Sequence, residues 1–548
     1  MYDLVIKNGR VVDGTGSPWF IADVGVRDGR VARVGVIEGN DAARLIDARD
    51  LTVAPGFVDI HSHADFVLPT PNHMDVLGPL MLQGITTLVT GNCGLSAAPL
   101  VSENLPLLAD YTTFFQSAGF CFDWTSMGEY LDALSERGVG FNVVPLTSHG
   151  AVRIAVMGFA AGRPDEEQMR RMQALVQRSV EEGAFGLSAG LIYAPGMYAS
   201  TDELVAVSQP LKAKRGVFTC HVRGSSETGL DATREIIEIA RVNDIPVEHS
   251  HIESFGELYW ANVGRIIELH DGARADGLDV SFDVIPYTTA NTSLSACFPP
   301  YALEGGMDRF VERLADRTER ERLRHDVENM RSEWPTWRPN TWPHNLVRAT
   351  GWKNIRLLWA AKDHNAAFVG KSLLEIGGIQ DKTPFDAAAD LLIDEHGAVL
   401  ALYLGVSGDL DDDEGLKKFL RHPNGAINTD AILTGRGMPH QAAYGAFPRV
   451  LGQYVREQRL MPLEEAVRKM TSLPLRRFNV QDRGLLREGM WADITVFDPE
   501  SIRDNSTYLD PAQGPSGIEY VVVNGQVAVE QGELLATTGR RAGQVLRH

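Results

Sequence analysis

The stretch Phe57-Val58-Asp59-Ile60-His61-Ser62-His63-Ala64-Asp65 constrains this chain more than any other, because an apolar, β-branched run ends there in two histidines one residue apart. Strand side chains alternate in direction, so His61 and His63 share a face and point the same way, as paired metal ligands must. Pro55-Gly56 starts the run sharply. A lone His-x-His pair is more often packed or solvated than liganded. Further His, Cys and Asp residues that end later apolar runs are what make the metal reading specific.

The long middle, about 55–480, alternates β-rich runs with helical patterns, the grammar of parallel strands joined by helical crossovers. Eight candidate strands end near His63, Asn92, His149, Ile192, His221, Glu253, Tyr287 and Asp430. This predicts an α/β fold, a (β/α)8 TIM-like barrel whose site collects at the C-terminal strand ends. Residues 1–54 and 481–548 read differently, as short strands joined by Asn-Gly and Asp-Gly turns. Val5-Ile6-Lys7-Asn8-Gly9-Arg10-Val11 is echoed by Val521-Val522-Val523-Asn524-Gly525-Gln526-Val527. One small β-sandwich domain formed by both termini is expected. An insertion of about 295–420 interrupts the barrel late, with Met307–Trp334 charged and helical in pattern. Five of the nine tryptophans (Trp334, Trp337, Trp342, Trp352, Trp359) follow within 26 residues. Such insertions cover or shape a site, although tryptophans in them more often pack a subdomain.

A chain of 548 residues, 44% hydrophobic and 23% charged, has ample material for a globular enzyme with one large and one small domain. The formal charge of −20 and a pI near 5.2 argue against nucleic acid or an anionic membrane as partner. A small-molecule substrate is the expected partner, and a homo-oligomer fits the pattern as well as a monomer does. No apolar run approaches a membrane span and no leader pattern opens the chain, so the expected location is cytoplasmic. The four cysteines (Cys93, Cys121, Cys220, Cys297) show no paired spacing, which suits a reducing compartment.

Ligand candidates follow residue by residue. Thr219-Cys220-His221-Val222-Arg223 and Glu248-His249-Ser250-His251-Ile252-Glu253 each end a strand with an inward histidine, and Asn428-Thr429-Asp430 ends the last with a carboxylate suited to ligation, general base work or both. A two-metal barrel needs an anionic bridge, often a carboxylated lysine, yet no lysine lies between Lys7 and Lys212. Cys93, in Gly91-Asn92-Cys93-Gly94, is the remaining anionic candidate, since zinc accepts mixed sulfur, imidazole and carboxylate ligands. His149, His249 and Tyr193 are candidates for holding substrate or its oxyanion, or equally for hydrogen-bonded barrel residues.

These residues resemble the amidohydrolase superfamily and, within it, the D-aminoacylase (N-acyl-D-amino-acid deacylase) family. The matching pieces are Asp3–Gly9, Ala54–His63, Gly91–Gly94, Ser148-His149-Gly150, Gly186–Tyr193, Phe447–Gly452 and Gly489–Asp493. The resemblance implies a zinc held tightly by Cys93, His221 and His251, and a weaker second position shared by His61, His63, Cys93 and Asp430. It also implies that Asp430 handles the catalytic proton and that Tyr193 lies in the substrate pocket. Hydrolysis of a C–N amide bond is the expected reaction; an ester, carbamate or cyclic amide is the alternative, and a non-catalytic scaffold a remote one.

Two departures from the family stand out. Its aminoacylases carry a lysine two residues after the last zinc histidine and an arginine in the loop after the catalytic aspartate, both for the substrate carboxylate. Here Glu253 takes the first place and Met438-Pro439-His440-Gln441-Ala442 the second. A buried carboxylate repels another, so a neutral or cationic amide becomes the expected substrate unless Arg223, Arg436 or an insertion residue restores the charge.

Overall fold

The computed structural model describes residues 1–39, 42–335, 341–535 and 541–548. The first three barrel strands, Phe57–Asp59, Ile85–Thr90 and Asn142–Pro145, pair in parallel. Thr147–Ser148 continues the third and pairs with the fourth, Gly186–Gly190. The fifth to eighth strands follow in parallel order: Val217–His221, Val247–His249, Val280–Val284 and Gly425–Ile427. The ring closes through a parallel bridge between Ser62 and Ala431. The Asp430 N–H donates to the His61 carbonyl at 3.0 Å and the His63 N–H to the Ala431 carbonyl at 3.2 Å. Barrel closure thus sets two of the candidate histidines against the candidate acid.

Several regular strands stop short of the polar residues that the sequence pattern ends them on, at Asp59 rather than His63 and at Ile427 rather than Asp430. The chain turns there instead of continuing its pleat. Cys93 (φ 51°), His251 (φ 32°) and Asp430 (φ 46°) all adopt left-handed backbone, unusual for residues with a side chain. The barrel base is filled by Val58, Val89, Val144 and Ala426 against Leu475 and Phe478. Each larger apolar side chain buried this way contributes about 1.5–3 kcal/mol. Outside the ring, the helix Glu166–Glu181 shows how the crossovers are held. Asp165 and Gln168 form a capping box at its start, and Met172, Val176 and Val180 turn inward.

Strands from both termini form one nine-stranded sheet that branches at Tyr2–Val11. That strand pairs with Ala42–Asp47 along its first half and with Thr52–Pro55 beyond. Thr52–Pro55 in turn lies antiparallel to Ile494–Phe497. Leu4, Ile6, Val24, Val53, Ile494 and Val522 share its core. The segment after it runs under the barrel, where the Val143 N–H donates to the Gln544 carbonyl at 2.8 Å.

Between the seventh and eighth barrel strands stand an antiparallel sheet of Thr289–Ser293, Val399–Leu404 and Ile355–Ala360 and the helices around it. This layer begins at Thr289, ahead of the expected 295, because Thr289-Ala290-Asn291-Thr292-Ser293 shows no apolar period of its own and takes its register from Val399–Leu404. It also ends earlier than expected: Glu414–Arg421 is a barrel helix, packed on the helix Asn262–Ala275 and the eighth strand. Trp342 and Trp359 are buried in the layer's core, Trp334 packs on the barrel helices, and Trp337 lies outside the described residues. Among the described residues no helix is long and apolar enough to cross a membrane.

Candidate active site

Six buried side chains from five strand ends converge at the C-terminal mouth: His61 and His63, Cys93, His221, His251 and Asp430. They form two overlapping groups, His61, His63, Cys93 and Asp430 on one side and Cys93, His221 and His251 on the other. Within each group the donor atoms all lie within 4.8 Å of one another. Cys93 Sγ is the shared atom, 3.2 Å from His61 Nε2, 3.5 Å from His251 Nε2 and 3.8 Å from His221 Nδ1. Asp430 Oδ1 stands 3.1 Å from His63 Nε2 and 3.4 Å from His61 Nε2.

The sulfur is placed by a tightly folded loop. At Gly94 (φ +71°) a Cβ would come within 2.6 Å of the Gly190 nitrogen, so only glycine lets the loop approach the fourth strand. The Gly91 N–H is held by Asp65 Oδ1.

Burial and mutual charge set the protonation of these groups. Burial pushes the Cys93 thiol up to about 11, even with His61 pulling it down. Burial also opposes ionisation of Asp430, yet the imidazoles of His61, His63 and His251 hold its carboxyl at about 2. His61 is buried too, but Cys93, Asp283 and Asp430 raise its pKa well above the ordinary value. Of the imidazoles only His61 is drawn toward its charged form; burial holds those of His63, His221 and His251 down, so their neutral rings are available as donors. Thiolate, imidazole and carboxylate are the donors that zinc accepts, and in each group one such atom from every residue lies within 4.8 Å of the others. The residues present fit a metal ion.

Two carboxylates that sequence reasoning passed over orient this set. Asp283, on the seventh strand, accepts the His251 N–H at 2.7 Å and faces His61 Nδ1 at 3.6 Å. Asp59 accepts the Thr429 N–H at 3.0 Å and the His61 N–H at 3.3 Å, tying the first strand to the eighth. Such outer groups fix ligand orientation. The available signal was a lone carboxylate inside an apolar strand run, Phe57-Val58-Asp59-Ile60 and Phe282-Asp283-Val284.

Of the candidate substrate residues, Tyr193 lies against the cluster, its ring edge-on to His221 at 5.0 Å and its hydroxyl accepting from Thr292 Oγ1 at 2.7 Å. Glu253 is buried and accepts from Ser225 Oγ at 3.0 Å; burial, with Asp430 adding to it, raises its pKa to about 8. The other three are placed differently. His149 Nε2 meets Glu203 Oε1 at 3.1 Å. His249 Nδ1 meets His270 Nε2 at 3.1 Å, on the helix Asn262–Ala275 outside the ring. Arg223 pairs with Glu235 at 3.0 Å and donates to the Met197 and Ala199 carbonyls, a network that fixes its guanidinium within the fold. Arg436 is exposed. His440 was not singled out from sequence. Its Nδ1 accepts the Ala442 N–H at 3.1 Å, so Nε2 carries the proton toward Thr289 Oγ1 at 2.7 Å, and burial lowers its pKa to about 4 against the pull of Asp430.

The model of an amidohydrolase family matches residues 44–317 and 377–529. A D-aminoacylase of Alcaligenes xylosoxydans xylosoxydans is 31% identical over 545 residues, covering 100% of this chain and 97% of the relative. An N-acyl-D-aspartate deacylase of the same organism is 32% identical, covering 99% and 95%. Among solved structures, an N-acyl-D-glutamate deacylase of Bordetella bronchiseptica, complexed with zinc and a phosphonate inhibitor, superposes with a TM-score of 0.82 at 30% identity, over 100% of both chains. The chain belongs to the amidohydrolase family. Within it, the chain stands with the D-aminoacylases, as a hydrolase of carbon–nitrogen bonds other than peptide bonds.

Proposed function

We propose that this chain is a zinc-dependent deacylase of N-acyl-D-amino-acid derivatives that lack the free carboxylate, that is, of neutral or cationic amides. The observation that carries the reading is Glu253, buried beside Asp430 and Tyr193 where the family's aminoacylases place a lysine. A carboxyl held near 8 by burial cannot supply the positive charge with which a lysine would hold a substrate carboxylate, and Arg223, considered for that task, is engaged by Glu235.

Cys93, His221 and His251 would hold the tighter ion, and His61, His63, Cys93 and Asp430 the weaker one. Such an ion lowers the pKa of a bound water and polarises a carbonyl. The chain's own part begins at Asp430, whose ionised carboxylate accepts the proton of the attacking water and returns it to the departing nitrogen as the C–N bond breaks. Tyr193 accepts a hydrogen bond from Thr292, which leaves its own proton to donate to a substrate oxygen. Asp283 and Asp59 keep His61, His251 and the eighth strand in place.

The test is a hydrolysis screen of the zinc-loaded protein on N-acyl-D-amino acids, their uncharged amide and ester counterparts, and the L-enantiomers. The uncharged D-amides should be turned over with higher kcat/KM than the acids. Faster hydrolysis of the free acids would overturn the reading.

A further inference from the structure

The layer between the seventh and eighth barrel strands carries two side chains, His344 and Asn291, on which every polar atom is buried and lacks a hydrogen-bond partner. Among the described residues outside the six-residue cluster, no other side chain with two polar atoms leaves both unsatisfied. His344 is 3% exposed and Asn291 5%. Buried polar groups are almost always partnered, so four orphaned atoms on two residues of one layer point to a ligand.

Both residues lie at the mouth. The His344 ring meets Phe255 at 5.6 Å, two residues beyond Glu253. Its neighbour Pro343 accepts from the Thr228 hydroxyl at 2.7 Å, and the His344 Cβ lies 3.5 Å from where a side chain on Gly224 would stand. Gly224 adjoins Ser225, the partner of Glu253. Asn291 sits on the strand Thr289–Ser293 and shares the face of Thr289, which is bonded to His440, while Thr292 on the other face bonds Tyr193.

We infer that His344 and Asn291 determine specificity by hydrogen-bonding a carboxamide on the substrate, beside Glu253. The inference rests on the proposed amide substrate and names its polar group. The chemistry follows from the donor inventory. Asn291 offers two N–H donors and one carbonyl acceptor, and a neutral imidazole one donor and one acceptor. A carboxylate satisfies the donors and leaves the Asn291 oxygen and the bare imidazole nitrogen unmatched. An ammonium satisfies only the acceptors. A carboxamide supplies both in one planar group. Burial also holds the His344 pKa down, at about 4, with Glu227 pulling the other way, so the ring is neutral at physiological pH. A site built to bond such a group discriminates strongly against analogues that lack it.

The experiment compares an N-acyl-D-amino-acid amide with its methyl ester, which keeps acceptors and lacks donors, on the zinc-loaded full chain. His344→Leu should lower kcat/KM for the amide at least tenfold, mainly through KM, and for the ester threefold or less, with zinc content unchanged. Asn291→Leu, close in shape, removes donors and acceptor together; it should show the same selective loss and serves as the second arm if His344→Leu folds poorly. Equal losses on amide and ester, or intact amide kinetics, in a variant that retains zinc would overturn the inference. Wild-type preference for the free acid over the amide would overturn the proposed function instead, so the two failures are read from different proteins.

Discussion

The strand-end wall and the layer laid over it are built on opposite principles. In the wall, His61, His63, Cys93, His221, His251 and Asp430 face one another and are braced by Asp283 and Asp59. In the layer, the polar atoms of the His344 and Asn291 side chains are buried with no hydrogen-bond partner. A site whose donors answer each other is complete around an ion, whereas one whose donors stand open is complete only around a substrate. The first therefore governs whether the chemistry happens, and the second on what.

Breaking the wall should have the largest effect. Cys93→Ala removes the atom common to both groups, so bound zinc and activity should fall to background while far-UV circular dichroism keeps the native signature, because the barrel core lies elsewhere. Metal analysis decides it, and wild-type zinc in the variant would show that the sulfur is not a ligand. Asp430→Asn is the next cut. It preserves shape and removes the proton acceptor, so kcat should fall by roughly two or more orders of magnitude with the tighter zinc retained on Cys93, His221 and His251. Little change in kcat would move the proton to another group, with His440 the first to test.

Glu253→Lys works at the junction of wall and layer. Placing a cation where a buried, largely protonated carboxyl stands shifts preference toward N-acyl acids by up to roughly a hundredfold, seen in the ratio of kcat/KM for acid and amide. A wild-type enzyme efficient on the acids that loses them in Glu253→Lys would reverse the argument.

The smallest effect belongs to the layer and is read as stability against pH. His344 takes a proton near 6.5 when unfolded but only at about 4 when folded, because burial disfavours its charged form. Between those values the unfolded chain binds more protons, so stability rises with pH across the window and is lost as pH falls from 6.5 toward 4. The neighbouring charges are Glu227, which works against the shift, and His221, which His344 itself disfavours in the charged form. His344→Leu should flatten the stability-against-pH profile in that window, by about 3 kcal/mol. A slope equal to wild type would show that His344 is not held neutral.

The wall was legible in the sequence because each of its residues ends an apolar run, and in a parallel barrel a run's end is an address. Alternation placed His61 and His63 on one side, and their convergence on Asp430 follows. What period-2 reasoning leaves out is the left-handed turn at Cys93, His251 and Asp430, which aims side chains after the pleat has stopped. By the same i, i+2 rule His249 should share a face with His251, but the strand ends at His249 and the chain turns left-handed at His251, so His249 packs outward on His270 instead. The layer was hardest to read. Thr289–Ser293 carries no apolar period, and His344 lies in a proline- and tryptophan-rich stretch whose only structural signal is tertiary.

The branched terminal sheet carries a consequence for synthesis. Thr52–Pro55 acquires its second neighbour only when Ile494–Phe497 arrives. Translation at about 5–20 residues per second puts that arrival on the order of 20 to 90 seconds later, during which the nascent chain presents an open β edge. The barrel must then condense while tethered to an unfinished scaffold. Any slowing of ribosomes between those two segments lengthens the period in which such edges on neighbouring nascent chains are free to zip together.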